Sequence, residues 1–367
     1  MRVLCVLGCL LGNRVFADRV HEALARYPEL EPTFVELAPQ DYQRHAVPFW
    51  CRWSDAWHVE AIMRRKLEPH RGEHWDAALV SGWESVLACA ALARSVPTAA
   101  EFDFVPAAHY RQLRRRGVGG LHRAVLFAIH HRRFAAAVPR IRAFLPRGSE
   151  CARSLLRDYH VPASNFHTTL AAQHLEVWTP NPDKSWTGPL RLLFVGNDFS
   201  RKGGPLLLAA FAQSLHKLAT LTIVSNDAAL ASAPLPPGVT WLRGKDKQQL
   251  LEVFRSSDLF VFPTQQDSVA EVIGEAITAG LPCIASDVGS ISDLVIDGEN
   301  GCLMPPGAPA AAWIEKITSL AGRRPDLARM GARSREIAEE KLDFESFAAL
   351  LAGTLTAIAR TPPGSAT

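Results

Sequence analysis

Short apolar runs alternate with segments of helical periodicity through the second half of the chain. The apolar runs predict strands at 191–196, 221–224, 258–262 and 282–285. Helices are predicted at 205–218, where Leu207, Phe211, Leu215 and Leu218 share one face, and at 247–256, 270–279 and 344–358. Strands that alternate with helices in this way are typical of a parallel, doubly wound sheet.

The first half shows a looser version of the same pattern. Strands are predicted at 2–8, 32–37, 77–80, 97–100 and 140–145, and a helix at 149–159. The apolar run 3–12 after Met1 and Arg2 is similar to a short signal peptide, but it lacks a small-residue cleavage site. We interpret it as the first buried strand.

A chain of 367 residues has room for two domains, and one segment separates the two patterns. Residues 176–190 contain three prolines, one glycine and no apolar periodicity. We therefore predict an α/β protein with a first Rossmann-like domain at 1–175, a linker at 176–190 and a second Rossmann-like domain at 191–343. A helix at 344–360 is expected to pack back on the first domain, and 361–367 to form a tail. Two such domains leave a cleft at the carboxyl ends of their strands, where ligands bind.

Composition and charge narrow the function. With 48% apolar and 21% charged residues, the chain is neither disordered nor membrane-spanning. Seven scattered cysteines without a CxxC pair argue against disulfides or a zinc–thiolate site and favour the cytoplasm. His70 and His74 have metal-site spacing but no clear third ligand, so we expect no metal. Residues 1–180 carry a net charge of +6 and the remainder −3. The net charge of the whole chain is only +3, and the sequence contains no nucleic-acid recognition motif, so both observations argue against nucleic-acid binding.

The segment 194–205 has the features of a phosphate site. A strand ends at Gly196, the basic pair Arg201 and Lys202 follows, and Gly203 and Gly204 lead into a helix. Glycines permit close backbone approach, the helix start offers free amides, and the cations supply charge. The alternative is a solvated basic turn capped by glycine.

The segment 262–280 brings carboxylates toward the same edge. A strand breaks at Pro263, a polar loop follows, and a helix is predicted to begin near Ser268. Ser268 and Glu271 have capping-box spacing, whereas Asp267 and Glu275 are placed to face a ligand and accept hydrogen bonds from sugar hydroxyls. A favourable charge at the helix start and a solvated helix face are the alternatives for these two acids.

Taken together, the order GNDFSRKGG (196–204), PTQQD (263–267) followed by GEA (274–276), AGLPCIASDVGS (279–290) and IDGENG (296–301) resembles the carboxyl-terminal domain of glycosyltransferase family 4. The match covers about 190–310, with weaker agreement at 101–106 and 134–161. The resemblance implies the GT-B fold and retaining transfer of a sugar from a nucleotide diphosphate sugar, without a redox cofactor or metal. The acceptor would be a glycan, a lipid-linked sugar or a small molecule held by the first domain.

The resemblance also implies roles for single residues. Arg201 and Lys202 would hold the diphosphate and Glu275 the ribose, while Asp267 takes the place of the first glutamate of a Glu-x7-Glu pair. Ser-Val-Ala at 268–270 replaces the usual glycine-rich residues, and Asn197 stands where many members carry arginine. Phe102 and Asp103 occupy the stretch where many members have a histidine. The predicted catalytic residues are Asp267, Lys202 and Asp103, and the predicted donor-binding residues are Arg201, Lys202, Gly203, Asn197, Ser268, Val269, Ala270, Glu275 and Gly12.

Two other functions are compatible with the same sequence features. A nucleotide-sugar epimerase on the same fold also needs a nucleotide diphosphate site. A degenerate transferase would bind nucleotide or a partner protein without turnover, an alternative raised by Asp267 and by the missing first-domain histidine.

A basic stretch of the first half forms a second candidate surface. Ten arginines and no acid lie between Arg111 and Arg147, interleaved with apolar residues. The pattern indicates contact with an anionic membrane surface or an anionic acceptor, with a solvated basic face as the alternative. We therefore expect a cytoplasmic protein that associates peripherally with membrane if the first interpretation holds.

Overall fold

The computed structural model describes residues 1–8, 13–41, 54–115, 120–231 and 234–361. The chain forms two compact units, which are described separately. The first comprises Met1–Thr169 and the chain from Glu345 onward, and the second comprises Leu170–Phe344.

The first unit is built on a five-stranded parallel sheet with the order β2-β1-β3-β4-β5. The strands of the central part are apolar along their whole length because helices cover both faces of a parallel sheet. In β1, Val3 to Leu7 are fully buried. The strands are β1 (Arg2–Gly8), β2 (Glu31–Leu37), β3 (Ala77–Ser81), β4 (Thr98–Phe102) and β5 (Ile141–Pro146).

Helices connect these strands, and the last helix of the chain joins the first unit. In that helix, Phe347 packs edge-on against Phe16, and Arg142 donates to the carbonyl of Ile358 at 3.1 Å. The helices are α1 (Asn13–Ala25), α2 (Asp55–Leu67), α3 (Trp83–Ala88), α4 (Pro106–Arg115), α5 (Leu121–Ala137), α6 (Ser149–Tyr159) and the last helix, α12 (Phe344–Arg360).

The second unit contains a six-stranded parallel sheet with the order β11-β10-β9-β6-β7-β8. Its strands are β6 (Leu190–Val195), β7 (Ala219–Val224), β8 (Val239–Leu242), β9 (Leu259–Phe262), β10 (Cys283–Ser286) and β11 (Gly301–Met304). Its helices are α7 (Gly204–Gln213), α8 (Lys247–Ser256), α9 (Glu271–Thr278), α10 (Ala310–Ala321) and α11 (Arg324–Lys341).

The predicted strands and helices are confirmed within a few residues, but the prediction was incomplete. The strands β8 and β11 and the helices α1 to α5, α10 and α11 were not predicted. The helix predicted to begin near Ser268 begins at Glu271 instead, with Ala270 as its N-cap. The segment predicted as a linker, 176–190, lies in the second unit, where Trp178 packs edge-on against Phe254.

Candidate functional site

The strand order of the second unit locates a binding site by itself. The chain leaves β6 toward β7 and β8 on one side, and β9 to β11 lie on the other, so β6 and β9 flank the point where the winding reverses. Ligands of doubly wound sheets bind outside the carboxyl ends of the strands at this point. The loops that follow β6 and β9 are the two segments that the sequence singled out, 196–203 and 263–270.

Glycine lets the two loops come together. Gly203 caps α7 with a φ of 82°, and a Cβ atom there would lie 1.9 Å from the carbonyl oxygen of Pro263, at the end of β9. Gly289, in the loop after β10, has a φ of 63°, and its Cβ would lie 2.3 Å from the carbonyl oxygen of Asp267. Both positions combine a left-handed backbone with a contact that excludes a side chain.

We expect Gly203→Ala to lower the free energy of unfolding by about 2–5 kcal/mol, because left-handed strain and a displaced Pro263 carbonyl add together. Gly298→Ala is the matched control, since Gly298 has a φ of 80° but no atom within 4 Å of its Cβ position. We expect the free energy of unfolding of this control variant to fall by about 1 kcal/mol, because only the backbone strain is introduced. Urea unfolding of both variants measures the difference, and equal losses would contradict the close approach of the loops.

The basic pair of the β6 loop is held by acids and carbonyls. Lys202 Nζ donates to Asp267 Oδ2 and lies 5.1 Å from the centre of the Phe262 ring. Arg201 donates to Asp198 Oδ2 at 2.6 Å and to the carbonyl of Gln266 at 2.7 Å. The structure thus brings Lys202 and Asp267 together from positions 65 residues apart.

Asp198 was not predicted to belong to the site, although it lies in the same motif. Partial burial acts to raise its pKa, but the hydrogen bonds from the Arg201 side chain and amide outweigh this and hold the pKa of Asp198 below its usual value. Asp198 is therefore anionic at neutral pH and fixes Arg201 beside the β9 loop. Its spacing of three residues from Arg201 is the signal that would have identified it.

The β9 loop and the start of α9 contain the remaining predicted donor residues. The Ser268 amide donates to Asp267 Oδ1 at 3.1 Å, so it orients the carboxylate, and Val269 and Ala270 are buried. The predicted capping box between Ser268 and Glu271 is wrong, because Ala270 caps the helix and its side chain has no acceptor. Glu275 lies in the second turn of α9 and is partly buried.

Asn197, predicted to contact the nucleotide-sugar donor, also makes a hydrogen bond within the protein. Its Oδ1 accepts the amide of Asn226 at 3.0 Å, and Asn226 Oδ1 accepts the amide of Gly244 at 2.9 Å. These bonds link the loops after β6, β7 and β8. Asp227 adds a further link, since its Oδ2 accepts the amide of Phe199 at 2.9 Å. Neither Asn226 nor Asp227 was predicted.

In the first unit, Asp103 follows β4, and its Oδ1 accepts the amide of Phe104 at 2.8 Å. Buried polar residues fix the strand ends beside it. Ser81 donates to Glu101 Oε2 at 2.6 Å, and Arg147 Nε lies 3.6 Å from Glu101 Oε1. Gly12, the remaining predicted donor contact, lies outside the described residues.

The first unit also contains a cavity of about 390 Å³. It lies where the starts of α2, α3 and α4 meet the first half of α5, and both apolar and ionisable side chains line it. The lining residues are Ser54, Asp55, Ala56, Trp83, Glu84, Pro106, His109, Tyr110, Leu113, His122, Arg123, Leu126, Phe127 and His130.

The arginines of the basic stretch do not form one surface. Arg111 pairs with Asp158 at 2.7 Å, Arg133 makes two bonds to Glu60, and Arg147 is buried beside Glu101. Exposed arginines within the described part of this stretch are Arg114, Arg123 and Arg132. On α5, Leu121, Val125 and Ile129 are exposed one turn apart.

The described residues contain no group of three or more His, Cys, Asp or Glu side chains placed to hold a metal ion. None of their helices has the length and hydropathy required to cross a bilayer.

Comparison with known proteins agrees with the fold and the family resemblance. Residues 189–323 match the family model of glycosyl transferases group 1. A D-inositol 3-phosphate glycosyltransferase of Nocardia farcinica is 38% identical over 96 residues, which are 26% of this chain and 21% of that protein. Its counterpart in Corynebacterium diphtheriae is 24% identical over 212 residues, covering 51% and 49% of the two chains. The chain thus spans between a fifth and a half of the length of these curated relatives.

Solved structures match over nearly the whole chain. Sucrose-phosphate synthase from Thermosynechococcus elongatus superposes with a TM-score of 0.76 at 18% identity and covers 97% of this chain and 98% of its own. HepE from Anabaena, solved with UDP, has a TM-score of 0.71 at 13% identity and covers 97% and 99%. These matches confirm the predicted GT-B fold of two Rossmann-like domains. The family-model match over 189–323 agrees with the resemblance seen in the sequence.

Proposed function

We propose that this member of the GT-B glycosyltransferases is an active, retaining enzyme that moves a sugar from a nucleotide diphosphate sugar to a hydroxyl group of an acceptor. The second unit would hold the donor. The first unit would hold the acceptor, which is a glycan, a lipid-linked sugar or a small molecule.

One observation carries the proposal. Lys202, Arg201 and Asp267 converge at the switch point of the sheet, within the domain that matches the glycosyl transferase family model. Two cations at a glycine-rich helix start suit a diphosphate. A carboxylate oriented by the Ser268 amide suits hydroxyl groups of the sugar next to it.

The reaction needs stabilisation of a leaving group. The bond between the anomeric carbon and the diphosphate oxygen breaks, and the nucleoside diphosphate leaves with the electron pair. The acceptor oxygen forms a bond to the anomeric carbon on the same face, and its proton passes to the departing diphosphate. Lys202 and Arg201 would lower the barrier by meeting the negative charge that grows on the diphosphate. We propose that these cations do this without a metal cofactor.

Calorimetric titration of the purified chain with UDP, GDP, ADP and dTDP tests the donor site. The structure of HepE has been solved with UDP and with UDP-glucose, which supports a uridine nucleotide as the donor here. We expect UDP to bind at micromolar to millimolar concentration and the other three more weakly. If none of the four bound at millimolar concentration, the transferase proposal would lose its main support.

The two other functions differ from transfer in their products. An epimerase would convert the nucleotide sugar to an isomer without an acceptor. A degenerate protein would bind the nucleotide sugar but leave the bond between the sugar and the diphosphate intact. Incubation of UDP-glucose with and without acceptor, followed by product analysis, separates all three. Transfer or donor hydrolysis that disappears in Glu275→Ala would eliminate the degenerate protein.

We also propose a cytoplasmic protein that contacts anionic lipid through α5. The exposed Leu121, Val125 and Ile129 share one face of α5 with the exposed Arg132, a combination that suits an anionic lipid surface. The described cysteines are buried thiols without disulfides, in keeping with a reducing compartment. Sedimentation with vesicles containing phosphatidylserine should deplete the wild type and spare Leu121→Asp. Equal depletion of the two would exclude this contact.

A further inference from the structure

The cavity of the first unit has walls that point to a particular ligand chemistry. It has room for a single ring of sugar size, since about 390 Å³ lies within the usual range of small-molecule sites. Tyr110 and Phe127 stack in its wall with centroids 4.4 Å apart, and Trp83 contributes a third ring. Aromatic rings of this kind pack against the CH faces of sugars and other cyclic polyols.

His130 lines this cavity with a buried imidazole ring. The residue is 6% exposed, and its Nε2 lies 3.1 Å from the Ser54 hydroxyl. Its Nδ1 is buried and has no hydrogen-bond partner in the described part of the chain. The rings of Trp57 and Trp83 hold the imidazole edge-on at 5.6 and 5.1 Å. A buried polar atom without a partner is costly, and a ligand hydroxyl would satisfy it.

Three ionisable side chains of the cavity wall, Glu84, His109 and His130, have pKa values shifted toward their neutral forms. Burial, with a smaller contribution from Asp103, raises the pKa of Glu84 to about 8, so its carboxyl group is mostly protonated at neutral pH and able to donate a hydrogen bond. Burial, assisted by Arg133, lowers the pKa of His130 to about 4, and burial also lowers the pKa of His109. Asp55 and Arg123 add one acidic and one basic side chain to the described lining, and both are exposed.

This balance discriminates between classes of ligand. A phosphorylated ring would meet one arginine and one aspartate, a poor match for a dianion, because buried charge needs paired charge. A purely apolar ligand would leave the buried Nδ1 of His130 without a hydrogen-bond partner. A neutral ring with several hydroxyl groups matches both the aromatic walls and the neutral donors and acceptors.

We infer that this cavity binds a neutral, hydroxyl-rich ring, a sugar or cyclitol without phosphate, and that this ring is the acceptor of the transfer. The acceptor role rests on the function proposed above, whereas the binding itself does not. The inference separates this chain from its curated relatives, whose names specify a phosphorylated inositol as the substrate.

Saturation-transfer NMR on the full chain tests the inference with matched probes. The neutral rings are methyl glucoside and myo-inositol, and the charged rings are glucose 6-phosphate and inositol 3-phosphate. We expect at least one neutral ring to bind at millimolar concentration, with its phosphorylated counterpart at least 10-fold weaker. A phosphorylated ring that binds as tightly or tighter, or the absence of binding by both neutral rings, would overturn the inference.

Variants locate the binding in the cavity. His130→Phe removes the unused ring nitrogen, and Leu113→Trp fills the space, so both should lose ring binding at least 10-fold. His74→Phe makes the same change on an exposed histidine outside the cavity and should bind as the wild type does. Ring binding that survives in both cavity variants would contradict the assignment. Nucleotide titration of each variant shows whether the chain is folded.

The two proposals fail in different ways. Lys202→Ala should lose nucleotide binding but keep ring binding, because Lys202 belongs to the second unit. If a neutral ring binds in the cavity while the wild type binds no nucleotide, the cavity assignment stands and the transferase function falls. If nucleotide binds and neither neutral ring does, the reverse holds.

Discussion

Lys202→Ala should weaken nucleoside diphosphate binding by about 30-fold to several thousand-fold, which is the cost of about 2–5 kcal/mol for removing one member of a desolvated charge pair. Lys202 is mostly buried and sits over the Phe262 ring at the carboxyl end of β9, so water replaces its charge poorly. We also expect kcat for sugar transfer to fall by about 100- to 1,000-fold, since a preorganised cation at the leaving group is lost. Calorimetry and steady-state kinetics measure the two effects.

Two control variants distinguish loss of the contact between Lys202 and the diphosphate from loss of a positive charge elsewhere and from an unpaired Asp267. Lys217→Ala removes an exposed lysine of the same unit and should leave binding within about 2-fold of the wild type. Lys202→Ala also leaves Asp267 without its cation, so the double variant Lys202→Ala with Asp267→Asn tests whether the unpaired carboxylate is responsible. If the double variant binds nucleotide as tightly as the wild type, Lys202 does not contact the diphosphate.

The architecture was largely predictable because buried parallel strands are short apolar runs bounded by glycine and proline. Such runs are visible in the sequence without knowledge of what covers them. The missed strands β8 and β11 are the two edges of the second sheet, and each has only four residues. In β8 none of the four residues is fully buried, so the apolar signal is weak. The missed α10 and α11 follow the glycine- and proline-rich turns at 296–307, and the missed α1 to α5 lie in the first half, where the apolar pattern is looser.

The loops that form the candidate site could be predicted from the sequence, but the ion pairs between their side chains could not. Glycines and the basic pair identified the β6 loop, since helix starts bind phosphate by a local mechanism. The pairing of Lys202 with Asp267 depends on the adjacency of β6 and β9, which only the strand order reveals. The ion pairs of the basic stretch in the first unit were unpredictable for the same reason. Arg111 and Arg133 find their acids in α6 and α2, far away in sequence.

Asp267→Asn is expected to separate binding from turnover. In the structure, the Asp267 carboxylate neutralises Lys202, and it would compete with the donor diphosphate for that cation and repel it. We therefore expect the variant to bind nucleoside diphosphate as tightly as the wild type or up to about 10-fold more tightly, as a like charge is removed. The kcat for transfer should fall by about 100-fold or more, because the amide no longer accepts strong hydrogen bonds from the reacting sugar.

Asp267→Glu provides the matched comparison, since it keeps the charge and introduces the longer acid that the resemblance to glycosyltransferase family 4 implies at this position. We expect it to retain transfer within about 10-fold of the wild type, with nucleotide affinity unchanged. Measurement of Kd for the nucleotide and of kcat for all three proteins decides between roles. If the asparagine variant loses nucleotide binding and kcat together, the carboxylate only positions Lys202. If it transfers sugar at the wild-type rate, Asp267 takes no part in the reaction. A fall in kcat with preserved or tighter binding assigns Asp267 to the sugar side of the leaving diphosphate, because a group that lowers the barrier without contributing to ground-state affinity acts in the transition state.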